Sequence, residues 1–166
     1  MNASRLFMFM LVLNTFSVYA ENDKWLKGLI AKREGRLKEV SVGAKKSNGF
    51  FSTHGFVFFY ANTCPHCHQF APVLKRWAKN NNATVLALSF DNKPLPEFPT
   101  YKLATTAWVN AAYQGMPIQY PALFVVNSKT KALYSVGFGS MTFEELQARL
   151  ATLIPKITRY EKRGAI

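Results

Sequence analysis

Two nearly unbroken apolar runs, Phe56-Val57-Phe58-Phe59-Tyr60-Ala61 and Thr84-Val85-Leu86-Ala87-Leu88-Ser89-Phe90, bracket a segment with helical spacing. That order constrains the fold more than any other feature of the chain. A strand with one wet face alternates apolar and polar residues; these runs do not, so their sheet is expected to be covered on both faces. The helix between them runs to about Asn80 and stops at Asn80-Asn81-Asn82, which completes a βαβ unit.

Both cysteines of the chain stand where the first strand meets that helix, as Cys64-Pro65-His66-Cys67. Free N–H groups and the macrodipole at a helix N-terminus stabilise a thiolate, which makes Cys64 the candidate nucleophile. Cys67, one turn deeper, is placed to attack a mixed disulfide formed on Cys64. Pro65 suits the first helical turn because its missing N–H would be unpaired there, and His66 can bring positive charge near Cys64. Both favour the reduced form and so a more oxidising couple, without separating an oxidase from an isomerase. Cys64, Cys67, Pro65 and His66 are therefore the catalytic candidates. A purely structural disulfide across this spacing closes a tiny loop and stabilises little.

A rival of another class comes from His68, because Cys64-Pro65-His66-Cys67-His68 also spells the c-type haem attachment pattern. Its placement opposes this: the pattern follows an apolar strand and opens a helix that continues through Phe70, Val73, Leu74 and Trp77. A zinc site from Cys64, Cys67, His66 and His68 is poorer still, since neighbouring residues point in different directions and no second ligand cluster exists. The expectation is a redox-active Cys64–Cys67 disulfide with no cofactor and no metal. His54 reads as a loop residue.

The compartment follows from residues 1–20, with Arg5, an apolar stretch from Leu6 to Leu13, and Val18-Tyr19-Ala20 as a small-residue cleavage site. These read as a secretory signal peptide; the stretch is short for a membrane span. The mature chain would hold both thiols in an oxidising space, where a dithiol is either a structural disulfide or a catalyst. About 146 residues remain, enough for one core-forming domain, and 14 Phe with 49% hydrophobic content support it.

Net charge is +12, or +11 once Arg5 leaves with the leader, concentrated in Lys24 to Lys46 and in Lys156, Arg159, Lys162 and Arg163. Such a balance suits nucleic acid or an anionic membrane. The charges carry no nucleic-acid-binding signature, so solvated basic faces are the reading, with no nucleic-acid partner and a weak attraction to anionic membrane surfaces left open.

The expected organisation is a signal peptide over 1–20, a basic helical extension and linker over 21–54, a domain over 55–155 and a basic tail over 156–166. In the extension, Trp25, Leu26, Leu29, Ile30 and Leu37 form an apolar stripe that could pack on the domain, on a partner or on a second copy, so the oligomeric state is open; Val40-Ser41-Val42 and a Lys45 to Gly49 turn follow. After the βαβ unit come a Pro-rich loop over Asp91 to Pro99, a helix over Tyr101 to Tyr113 and a loop over Gly115 to Pro121. Ala122 to Val126 and Ala132 to Val136 flank Asn127 to Lys131 as a hairpin. Thr142 with Glu145 is a capping box, opening a helix towards Pro155.

A dithiol at the first crossover, then a helix, a hairpin and a closing helix, resembles the thioredoxin superfamily from about Gly55 to Ile154. The motifs are Phe59-Tyr60-Ala61-Asn62-Thr63-Cys64-Pro65-His66-Cys67, Pro72 within the helix, and Pro121 before the Ala122 strand. The resemblance implies an α/β thioredoxin-like fold with a central mixed sheet flanked by helices, and a cis peptide at Pro121. Tyr120 and Pro121 would then form the substrate-binding turn, where an extended peptide can pair with the backbone.

Cys64 to Lys75 and Tyr120 to Asn127 further resemble the TrbB family of thiol-disulfide isomerases, which serve F-type conjugative transfer and pilin assembly. This implies a periplasmic enzyme acting on secreted proteins with thiols or disulfides and reset by a membrane or periplasmic redox partner. A DsbA-like thiol oxidase, a thioredoxin-like reductase and a non-catalytic binding module on the same fold are the alternatives. Two departures stand out. The archetypal superfamily proton acceptor, an Asp six residues before the first Cys, is Phe58 here, which weakens the reductase reading. Tyr120 replaces the small or β-branched residue that many periplasmic members carry before the proline.

Overall fold

The computed structural model describes residues 31–32 and 49–164. Contacts divide the chain into two units, Met1–Ser41 and Val42–Ile166. Of the first, Ala31 and Lys32 are described, as helical and exposed. The signal peptide, the Trp25 to Leu37 stripe, the Val40 to Val42 piece and the turn from Lys45 to Asn48 lie outside the described residues.

In the second unit a short 3₁₀ turn, Phe50–Ser52, leads into β1 (His54–Tyr60), α1 (Pro65–Asn80), β2 (Val85–Ser89), β3 (Lys102–Leu103) and α2 (Thr106–Tyr113), then β4 (Ala122–Asn127), β5 (Leu133–Phe138) and α3 (Phe143–Gly164). One mixed sheet has the order β3-β2-β1-β4-β5. β1 pairs in parallel with β2, and β2 with β3, while β4 runs antiparallel to both β1 and β5. This is the thioredoxin-like arrangement that the sequence led us to expect.

β1 is buried along its whole length because it is the central strand with helices on both faces. Its side chains alternate between them. Phe56, Phe58 and Tyr60 join Phe70, Leu74 and Trp77 of α1 and Leu146, Leu150 and Ile157 of α3 in one core. Val57 and Phe59 face the other way, into a second core with Leu88, Ala112, Tyr113 and Phe124. Gly55 permits a close approach, since a Cβ there would stand 2.7 Å from Thr84 Oγ1.

Four expectations need correction. The Tyr101 to Tyr113 segment is not one helix: Lys102 and Leu103 form an edge strand held by Leu88 and Ser89, and α2 starts only at Thr106. Residues 156–164 are not a tail, because α3 continues through Pro155 to Gly164, held by buried Ile157 and by Glu161. The packed domain also starts before residue 55, with Phe51 of the 3₁₀ turn buried against Phe56 and Trp77.

His54, the fourth, is not a loop residue. It opens β1, is buried, stacks on the Phe50 ring at 3.8 Å and shares a hydrogen bond with Glu161 Oε1 at 3.2 Å. Asn127 Nδ2 and the Tyr134 hydroxyl donate to the same oxygen, at 2.9 Å each. The capping box forms as expected: the Glu145 amide donates to Thr142 Oγ1 at 3.2 Å and the Thr142 amide to Glu145 Oε2 at 2.9 Å.

Candidate active site

The C-terminal ends of β1 and β2 lie side by side because the strands are parallel and in register, Tyr60 opposite Ser89. Whatever follows β1 therefore meets whatever follows β2. After β1 the chain turns through Asn62-Thr63 and delivers Cys64 as the N-cap of α1, with extended backbone and Pro65 in the first turn. The Cys67 amide closes that turn on the Cys64 carbonyl at 3.0 Å, and the His68 amide reaches the same oxygen at 3.3 Å.

Burial makes the two thiols unequal. Both are free; Cys64 is partly exposed, whereas Cys67 has 0% of its surface exposed and sits in the core with Phe58 and Phe70. Desolvation pushes the Cys67 thiol up to about 12, and the neighbouring Cys64 and Asp91 add to the rise. An exposed thiol ahead of a buried, protonated one can exchange with an outside disulfide and keep its partner in reserve.

The turn before β4 completes the site. The Tyr120-Pro121 peptide is cis, Pro121 is buried and Tyr120 is 43% exposed. The Cys64 thiol donates to the Tyr120 main-chain oxygen across 3.9 Å. The Gly139 amide, at φ +83°, donates to the Pro121 carbonyl at 2.7 Å, and Tyr113 OH donates to the Gln119 carbonyl at 2.7 Å. The Tyr120 ring leans on Phe90 at 5.4 Å. Met116, Ile118 and Phe138 are also exposed, so the turn is rich in apolar surface.

The structure therefore brings Cys64, Cys67, Pro65, Tyr120 and Pro121 together. His66 shares their helix turn but is exposed, with its Nδ1 paired to Gln69 Oε1 at 3.2 Å. His68 turns to the Asn62 carbonyl at 2.6 Å. Phe58 is fully buried between Tyr60, Phe70 and Phe98, so carbon occupies the place of a buried carboxylate.

Sequence reading missed Asp91. Its Oδ2 accepts the Thr63 amide at 3.1 Å and its Oδ1 accepts the Ser89 hydroxyl at 2.9 Å. Partial desolvation works the other way, but hydrogen bonds from the Asn62 amide, the Ser89 hydroxyl and the Thr63 amide hold the Asp91 carboxyl below the usual range. Around it, Asn62 Nδ2 donates to the Pro94 carbonyl at 2.6 Å and Tyr60 OH to the Lys93 carbonyl at 2.9 Å. The available signal was positional: a polar Ser89 and Asp91 ending a strand parallel to the one that carries the thiols.

The family model described as "TraF: F plasmid transfer operon protein" matches residues 48–151. Protein TrbB of Escherichia coli (strain K12) is 28% identical over 98 residues, covering 59% of this chain and 54% of that protein. The chain thus spans about half the length of the curated relative it matches. Among solved structures, MTB dsbF in its mixed oxidized and reduced forms is 21% identical with a TM-score of 0.44, over 64% of this chain and 84% of that one. A thioredoxin family thiol:disulfide interchange protein from Chlorobium tepidum TLS is 19% identical with a TM-score of 0.44, over 65% and 84% respectively.

Proposed function

The chain belongs to the TraF family of F plasmid transfer operon proteins, and from that premise we propose that it is a periplasmic thiol-disulfide oxidoreductase, acting as a disulfide isomerase on proteins of a conjugative transfer or pilus apparatus. The observation that carries this reading is the unequal dithiol beside the cis-proline turn: partly exposed Cys64, fully buried Cys67, and the Tyr120 carbonyl 3.9 Å from the Cys64 sulfur. The family supports the conjugative setting, and residues 1–20, read as a signal peptide, support the periplasm.

In this mechanism Cys64 attacks one sulfur of a wrong substrate disulfide as the thiolate. A Cys64–substrate disulfide forms, the substrate S–S bond breaks, and the second substrate sulfur leaves as a thiolate. Tyr120 and Pro121 hold the chain during exchange, the exposed ring against apolar side chains and the main chain against an extended segment. Pro65 shapes the first helical turn, and His66 stands on that turn beside the nucleophile. If another substrate thiolate attacks the mixed disulfide, Cys64 is released reduced and the substrate is isomerised. If Cys67 attacks instead, the Cys64–Cys67 disulfide forms, the substrate leaves reduced by two electrons, and a membrane or periplasmic redox partner must reset the couple.

Burial of Cys67 and the bond from His68 to the Asn62 carbonyl support thiol exchange over a haem attached through the same five residues. The test is a glutathione redox titration of the mature protein, with the Cys64–Cys67 couple followed by alkylation and the visible spectrum recorded alongside. A midpoint between about −120 and −180 mV fits an isomerase or oxidase, which re-pairing of a scrambled substrate then separates. A value near −270 mV identifies a reductase, and a haem band or an untitratable pair overturns the proposal.

A further inference from the structure

Charge is divided unequally between the two ends of the domain. β1 runs about 20 Å from His54 to Tyr60, with the thiols beyond its last residue. Glu161 bonds to His54 and to Asn127, which pair across β1 and β4, so the last turns of α3 and the turn between β4 and β5 share the end opposite the thiols. Lys129, Lys131, Lys156, Arg159, Lys162 and Arg163 are all exposed there. Among the described residues Glu161 is the one carboxylate at this end, and Asn127, Tyr134 and His54 hold it inward. Asp91 and Glu97 stand in the loop that leaves the thiol end of β2, and Glu144 and Glu145 lie in the first turn of α3, about 25 Å along that helix from Lys162.

Helix-end electrostatics account for only part of this. The attraction of cations to a helix C-terminus falls off within the last turn, which covers Lys162 and Arg163. Lys156 and Arg159 stand further back. With Arg163 they recur at intervals of three and four residues, so the three share one face, away from buried Ile157. Tyr160 accompanies them, 71% exposed, with its ring set edge-on to Tyr134 at 6.3 Å. Cations around an exposed tyrosine match the headgroup layer of a bilayer, where negative charge meets the amphipathic ring.

We infer that this end of the domain docks on an anionic lipid surface, with Lys156, Arg159 and Arg163 at the phosphates and Tyr160 among the headgroups. Docking in this way points Cys64 and the Tyr120-Pro121 turn away from the membrane, about the length of β1 above it, where they can meet other proteins. The surface shares no residue with the thiol site, so the inference goes beyond the exchange chemistry and does not depend on it.

The experiment floats the mature protein with vesicles of phosphatidylcholine containing one-third phosphatidylglycerol, and with vesicles of phosphatidylcholine alone. Three proteins are compared: the parent, a helix variant carrying Lys156→Gln, Arg159→Gln and Arg163→Gln, and a control that removes equal charge elsewhere through Lys75→Gln, Lys93→Gln and Lys102→Gln. All keep residues 21–48, so the charge of Lys24 to Lys46 is common to them. The parent is expected to bind the anionic vesicles alone and to leave them at about 0.5 M salt. A lysine or arginine at an anionic surface is worth about fivefold in partitioning, so the helix variant should bind at least about tenfold more weakly and the control within about threefold of the parent. Cys64 should react with a neutral, water-soluble maleimide as fast on vesicles as in solution.

A parent that ignores anionic vesicles, a helix variant that still binds them, or an equal loss in both variants overturns the inference. So does alkylation of Cys64 about tenfold slower on vesicles, which would set the thiols against the lipid. Transfer of the protein from vesicles to duplex DNA at equal phosphate concentration would make the face a nucleic-acid site and overturn it as well. The exchange reading stands or falls separately, on the redox titration.

Discussion

The Cys64 sulfur stands 3.9 Å from the main-chain oxygen of Tyr120, although 56 residues separate them in the chain. That distance joins the two halves of the site, a helix N-terminus that presents a thiol and a turn that presents backbone. A substrate paired to the turn would have its own sulfur within reach of Cys64. The consequences can be checked one residue at a time.

Replacing either cysteine should separate the two steps. Cys64→Ser is expected to abolish exchange, because the remaining thiol is fully buried. Cys67→Ser should accumulate mixed disulfides, visible as higher-mass bands on gels run without thiol that disappear when thiol is added. An active Cys64→Ser protein would sink the assignment.

Tyr113 holds the loop before Pro121 through its hydroxyl, which donates to the Gln119 carbonyl at 2.7 Å. Tyr113→Phe keeps the ring in the core and removes only that bond, at a cost of about 1 kcal/mol in urea unfolding. Because the loop carries Tyr120, peptide substrates should also show a raised KM. A variant as stable as the parent would show that the bond does not hold the loop.

Acid should weaken the far end of the sheet through Glu161. Burial pushes its carboxyl upward, but bonds from Asn127, His54 and Tyr134 outweigh this and hold it below the ordinary value of 4.5. A carboxylate with a lowered folded-state pKa adds stability that is complete above the unfolded value and is lost as pH falls through the folded one. Glu161→Gln should therefore melt lower than the parent at pH 7, and the gap should narrow as pH drops below about 4.5. A gap that stays constant from pH 7 to 3 would refute the linkage.

The start of α3 offers a local control far from the thiols in sequence. Thr142→Ala removes the cap that receives the Glu145 amide and is expected to cost about 1 kcal/mol, read as a fall in Tm. Exchange activity should track only the folded fraction.

Much of this molecule was legible because its signals are local. Runs such as Phe56 to Tyr60 admit a strand buried on both faces, the Asn127 to Lys131 turn admits a hairpin, and Thr142 with Glu145 marks a helix start. Lys102 and Leu103 were illegible, since two exposed residues become a strand only by pairing with Leu88 and Ser89. Residues 156–164 read as a charged tail because their anchors, Ile157 and Glu161, are spaced among basic residues and act on distant partners.

The sequence by itself determined the dithiol, its place between a buried strand and a helix, and the proline before β4, because short-range spacing and chain order carry that information. Tertiary structure decided which thiol is sealed from solvent, that the Tyr120 carbonyl meets Cys64, and that Asp91 stands at the turn bearing it. These follow from strand register and sheet order, where one residue's shift would move every side chain to the opposite face.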